Sequence, residues 1–185
     1  MPTEAPVIYT IGHSTRSADE FVEICRAHGI QAIADVRLIP KSRRYPHLND
    51  EQMTVWLPKA GIRYVPFKQL GGRRRARKDS INLGWRNESF RGYADFMQTE
   101  AFAHGVNKLT ALAADQPTAT MCAEAVPWRC HRSLISDALL VRGWRVMDVT
   151  SEGKATPHKL TPFAKVVGET ITYPVEEPPL FATSA

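Results

Sequence analysis

Apolar positions along this chain follow two rhythms. Short β-branched or apolar runs at residues 7–11, 30–36, 119–122 and 144–149 have the length and composition of buried strands. Between them, apolar residues recur every three or four positions, the spacing of one helix face. Phe21, Ile24 and Cys25 mark a helix over 18–28, and Met53, Trp56 and Leu57 mark another from Asn49 or Asp50 to Ala60. A long periodic stretch, 89–115, predicts one helix or two broken near Gly105. Leu134, Ile135, Ala138, Leu139 and Val141 predict the last helix over 133–142.

Local signals fix several boundaries. Ser17 with Glu20 three residues on forms a capping box, and Gly29, Gly61 and Gly143 stand where helices should stop. Residues 62–67 alternate like a strand, but Pro66 argues against a central place in a sheet. The irregular segment 70–92 has too few periodic apolar residues for an element. A loop of that length suggests a lid or a binding loop. From Ser151 the chain is Pro-rich, with a short helix expected over 160–166 and the residues after Tyr173 expected to be draped over the surface or disordered.

Strands alternating with helices predict parallel pairing through right-handed crossovers. The fold class is therefore α/β: a three-layer, Rossmann-like sandwich with a mainly parallel sheet of about five strands. One domain over 1–185 is expected, its core at about 7–150 and its extension at 151–185. No apolar run approaches the ~20 residues of a membrane helix, and no signal peptide is evident, so a cytoplasmic protein without a membrane partner is expected. Three cysteines in such a chain argue against a disulfide framework. Cys25, among apolar helix positions, reads as core.

The formal net charge of +5 is modest, but twelve Lys or Arg fall within residues 37–78 against only Asp50 and Glu51. Such a segment suits a phosphate-bearing small molecule or nucleic acid.

Candidate chemistry gathers where strands end, the place where open α/β sheets bind ligands. The strand ending at Cys122 runs into a bend carrying Glu124, Trp128, Arg129, Cys130, His131 and Arg132. Cys130, placed at the first turn of a helix beside cations, is a candidate nucleophile or electrostatic support. Glu124 and His131 are candidate proton handlers, and Arg132 suits an anion. Cys122, Cys130 and His131 together offer three metal ligands, yet the paired spacings of structural zinc sites are absent, so no metal is assigned. The phosphate-loop, dinucleotide and nucleophile-elbow patterns are absent as well. Cys122 and Arg129 stand one residue too far apart for a C-x₅-R loop. The other two early strands deliver Gly12, His13 and Ser14, and Asp35 and Arg37, to the same edge.

These residues lie in motifs that can be set side by side: YTIGHS at 9–14, DVRLIPKS at 35–42, LGG at 70–72, FRGYADFM at 90–97 and MCAEAVPWRCHR at 121–132. Together they resemble the bacterial and archaeal family called domain of unknown function 488, over about residues 7–149. The resemblance implies an α/β fold and carries no established activity. Its motifs fall on Gly12, His13, Ser14, Asp35, Arg37, Tyr93, Cys122, Glu124, Cys130, His131 and Arg132. The run 73–78 is longer and more basic than the family pattern implies.

The expected function is an enzyme, a hydrolase or transferase acting on a nucleotide or nucleic acid. Asp35, Glu124, Cys130 and His131 are its candidate catalytic groups; Gly12, His13, Ser14, Arg37, Ser42, Tyr93 and Arg132 are its candidate substrate contacts. A nucleic-acid binding module with a structural Cys–His block, and a thiol redox or metal-binding protein, are the alternatives. No cofactor or oligomeric state is specified.

Overall fold

The computed structural model describes residues 5–175. Its parallel strands are β1 (Val7–Gly12), β2 (Ala32–Asp35), β3 (Arg63–Pro66), β4 (Thr118–Cys122) and β5 (Arg145–Ser151). A sixth, β6 (Lys154–Pro157), turns back antiparallel to β5, giving the order β3-β2-β4-β1-β5-β6. The helices are α1 (Ala18–Ala27), α2 (Asp50–Lys59), α3 (Glu88–Met97), α4 (Glu100–Asp115) and α5 (Arg132–Val141). A small hairpin of β7 (Lys165–Val167) and β8 (Thr170–Thr172) follows.

Strand parity sorts the core into two layers. Ile11, Ile33, Ala119, Met121 and Val149 face α1 and α2, where Phe21, Cys25, Met53 and Leu57 fill the space. Ile8, Ala34 and Val146 face α3, α4 and α5, against Tyr93, Phe102, Leu109, Leu134 and Ile135. Burying each large side chain contributes about 2 kcal/mol, so the two layers dominate stability. The fold is the expected three-layer α/β sandwich, with a mixed, mostly parallel sheet. Pro66 does end an edge strand, β3.

The capping box forms as read: the Glu20 amide donates to Ser17 Oγ, and the Ser17 amide donates to the Glu20 carboxylate. Three expectations need correction. The long helix breaks at Gln98–Thr99, where the Thr99 hydroxyl caps α4, and runs unbroken through Gly105. Gly105 is a glycine for another reason: a Cβ there would stand 2.7 Å from a Leu70 methyl. The helix expected over 160–166 is instead a turn leading into β7. Asn49 caps nothing with its side chain, because its Oδ1 accepts from the Ser42 amide.

Segment 71–87 is an ordered strap without regular structure, fixed by two buried polar residues. Asp95 accepts from the Arg77 amide, the Ser80 hydroxyl and the Asn82 amide group. Asn82 Oδ1 in turn accepts from the Tyr173 amide. Tyr173, with Ile171, is part of the core, so the extension contributes to packing as well as to the sheet. The course expected after Tyr173 falls mostly on residues 176–185, which lie outside the described residues.

Candidate functional site

The connection after β4 crosses to the α5 face, whereas those after β1 and β2 cross to the α1–α2 face. Because β4 lies between β2 and β1, its carboxyl end opens a crevice between diverging chains. A cavity of about 320 Å³ lies there. Arg37, Leu38 and Ile39 line it after β2, Gly72 and Arg73 from the strap, and Ser89, Phe90 and Tyr93 from α3. The loop after β4 supplies Cys122, Ala123, Glu124, Arg129, Cys130 and His131.

That loop is anchored from below. The His13 and Ser14 amides donate to the carbonyls of Cys122 and Ala123, at 2.8 and 3.0 Å. Ser14 adopts the left-handed region, φ 51°, to make this turn. Gly12 is required by the close approach: a Cβ on it would sit 1.9 Å from the Glu124 carbonyl oxygen. Arg132, 1 % exposed, donates to Glu124 O at 2.6 Å and to Thr10 Oγ1 at 2.5 Å. No carboxylate among the described residues pairs with it. The Arg132 guanidinium thus spans β1 and the loop, and its charge lies near the thiols.

A second knot lies beside it. Asp35 accepts from the Arg37 amide, from the Arg37 guanidinium at 2.6–3.1 Å and from the Tyr64 hydroxyl at 2.6 Å. Its oxygens are saturated within the protein. Asp35, a candidate catalytic group by sequence, holds Arg37 in place through these bonds. Arg37 Nη1 donates to His13 Nε2 at 3.1 Å, so the neutral His13 carries its proton on Nδ1, which reaches Ser14 O at 2.9 Å. Burial, with Arg37's charge adding to it, holds His13 below the usual histidine pKa.

Cys122, Cys130 and His131 form a thiol–imidazole group at the cavity. Their ligand atoms all lie within 4.8 Å of one another. His131 Nδ1 stands 3.6 Å from Cys130 Sγ, and Nε2 stands 3.0 Å from the Val36 carbonyl oxygen. A carbonyl only accepts, so Nε2 bears the proton and the Nδ1 lone pair faces the sulfurs. The Tyr93 ring packs 5.0 Å from the imidazole, centroid to centroid, and fixes its tilt. Cys130 hydrogen-bonds Cys122 and, with His131, pulls the Cys122 thiol pKa down, while that bond and burial push Cys130 up. Cys130 precedes α5, outside its first turn, and Cys122 is the sulfur that the pair and the imidazole favour as thiolate. The arrangement can serve as a nucleophile with a thiol donor, or as a set of soft metal ligands.

Of the expected site residues, Arg37, Tyr93, Cys122, Glu124, Cys130 and His131 line the cavity. Tyr93 does so with its ring, since its hydroxyl donates to Leu70 O. Gly12, His13, Ser14, Asp35 and Arg132 support the walls from behind. Ser42, expected to contact substrate, is not among the lining residues; its hydroxyl accepts from the Tyr45 amide in a surface turn. Leu38, Ile39, Ser89, Phe90 and Arg73 were missed. The apolar Leu38-Ile39 pair inside a basic loop was the available signal for the first two.

The basic segment is less free than its composition suggests. Lys41 and Lys68 pair with acidic residues of α2, and Arg77 pairs with Asp79. Arg74 lies 3.8 Å over the Phe96 ring and bonds strap carbonyls. The guanidinium groups of Arg73 and Arg129, at the cavity, make no hydrogen bond or ion pair among the described residues. Also among these, no helix is long and apolar enough to cross a membrane.

The sequence profile described as Domain of unknown function DUF488 matches residues 17–139. Neither curated proteins nor solved structures give a match.

Proposed function

The chain belongs to the DUF488 family, and on that premise, which assigns no activity, we propose that it is a hydrolase or transferase acting on a small phosphate-bearing molecule of the nucleotide class. One observation carries the reading: two guanidinium groups without a partner among the described residues, Arg73 and Arg129, border a cavity that also contains two thiols, an imidazole and a carboxylate. Its volume suits a small ligand. Leu38, Ile39 and Phe90 offer an apolar wall for a base, and the arginines offer charge-assisted bonds to phosphate. Glu124, with one oxygen engaged by the Val126 amide, keeps a second oxygen for proton transfer. Ion pairs engage Arg37, Lys41, Lys68 and Arg77 of the basic segment, which favours a small anion over a nucleic-acid polymer.

The test is a panel of nucleoside mono-, di- and triphosphates scored for thermal shift and for turnover. Arg73→Gln and Arg129→Gln should each weaken binding about tenfold, and Glu124→Gln should keep binding while losing turnover. Binding of duplex or single-stranded nucleic acid, with no response to any nucleotide, would instead favour the binding-module reading.

A further inference from the structure

Three groups of the cavity match the donor set of a transition-metal ion, and their match is geometric. We propose that Cys122, Cys130 and His131 bind one zinc-type divalent ion through two sulfurs and Nδ1, leaving a fourth position open to the cavity. The ion's role rests on reading the cleft as an active site; its binding does not.

The first argument is distance. An ion held at about 2.3 Å from sulfur and about 2.0–2.1 Å from nitrogen, with tetrahedral angles, separates those two ligands by about 3.6 Å. Cys130 Sγ and His131 Nδ1 stand 3.6 Å apart. All three ligand atoms lie within 4.8 Å of one another, so small side-chain rotations would close the triangle.

The second argument is orientation. Metal-bound histidines commonly donate their other N–H to a carbonyl, which fixes tautomer and ring direction. His131 has that partner in Val36 O, and its Nδ1 lone pair already points at the sulfurs. Tyr93 holds the ring from the side.

The third is scaffolding and charge. Cys122 ends a strand paired on both sides, and Cys130 and His131 lead into α5, whose face is buried. Two thiolates and a divalent ion sum to zero, a balance the interior tolerates better than two bare thiolates. Both sulfurs must lose their protons, so binding releases protons and weakens as pH falls. Three protein ligands with one open position is the pattern of catalytic zinc, which polarises an oxygen or lowers the pKa of bound water to about 7. Glu124 lies across the same cavity to receive a proton.

The reduced, metal-free protein is titrated with zinc and, separately, with cobalt(II). One equivalent should bind per chain, cobalt should give a thiolate charge-transfer band with four-coordinate visible bands, and zinc should shield two cysteines from alkylation until a chelator is added. His131→Gln and Cys122→Ser should lower affinity more than tenfold, whereas Cys25→Ser should change nothing. Circular dichroism confirms folding of each variant, and the alkylation readout uses the unmodified chain. Absence of the charge-transfer band, or zinc binding no tighter than in His131→Gln, would overturn the proposal. Nucleotide turnover that survives chelation and the loss of zinc overturns the ion's part in turnover and spares the cleft reading. Stoichiometric zinc with no phosphate ligand does the reverse.

Discussion

Two clusters of buried ionisable groups flank α5, and they behave in opposite ways. One is Cys122–Cys130–His131, at the helix start. The other is Asp137, Asp148, His158 and Tyr173, where the chain beyond β5 crosses the helix. In the second, Asp137 accepts from His158 Nε2 at 2.9 Å, from the Thr161 amide at 3.1 Å and from the Tyr173 hydroxyl at 2.9 Å. His158 Nδ1 lies 3.4 Å from Asp148 Oδ2, so both ring nitrogens face carboxylates. Burial alone would lower the His158 pKa, but its two carboxylate partners more than offset this and raise it to about 9. Only Asp148 Oδ1 is left without a partner in that cluster. The thiol–imidazole group, by contrast, keeps lone pairs beside an open cavity. Residue type does not distinguish structure from chemistry here; the fraction of lone pairs already committed does.

Asp137→Asn breaks this contrast most severely. It removes the charge opposite His158 and should cost about 3 kcal/mol at neutral pH. Thermal denaturation should show a fall of roughly 6–12 °C, and ligand binding at the cleft should persist in the folded protein. Cys122→Ser is the mirror image. Turnover on any substrate found should fall at least about 100-fold, near 2.7 kcal/mol in the barrier, with the melting temperature within a few degrees of the parent.

His158→Ala sharpens the comparison through pH. The folded pKa is raised from 6.5 to about 9, so the contribution is fully present below pH 6.5 and is lost as pH rises through 9. The variant should be less stable by about 2–3 kcal/mol at pH 6, and the gap should shrink by pH 10, as read by denaturant titration at both values. Arg73→Ala is the smallest change. It should leave stability within about 0.5 kcal/mol and weaken phosphate-bearing ligands by about 1 kcal/mol, measured calorimetrically.

The inner parallel strands β1, β2 and β4 were legible because each is an apolar run that the core must bury from both faces. The tail was not. β6 reads as Lys-Ala-Thr-Pro, without alternation, and exists because β5 offers it an unpaired edge. The strap escaped for a related reason: one buried aspartate orders it, and that leaves no periodic trace. At the site, parallel topology announced that His13, Asp35 and Cys122 would share an edge. Which of them meets the cavity depends on committed hydrogen bonds, and a sequence does not display those. Cys122, Cys130 and His131 were legible as potential ligands but not as neighbours, since a strand end and a helix start bring Cys122 to Cys130 where no short motif does.

The central position of β1 bears on how this chain can be divided. β1 pairs with β4 on one side and β5 on the other, yet both β1 and β5 lie outside the profile-matched stretch 17–139. A fragment trimmed to that stretch would lose the middle of its sheet and bare one side of β4, inviting association between copies. Emerging from a ribosome, the chain likewise leaves β1 half-paired until β5 is released, some 130 residues later. The earliest-made strand is among the last to be completed, a high-contact-order arrangement of the kind that folds slowly.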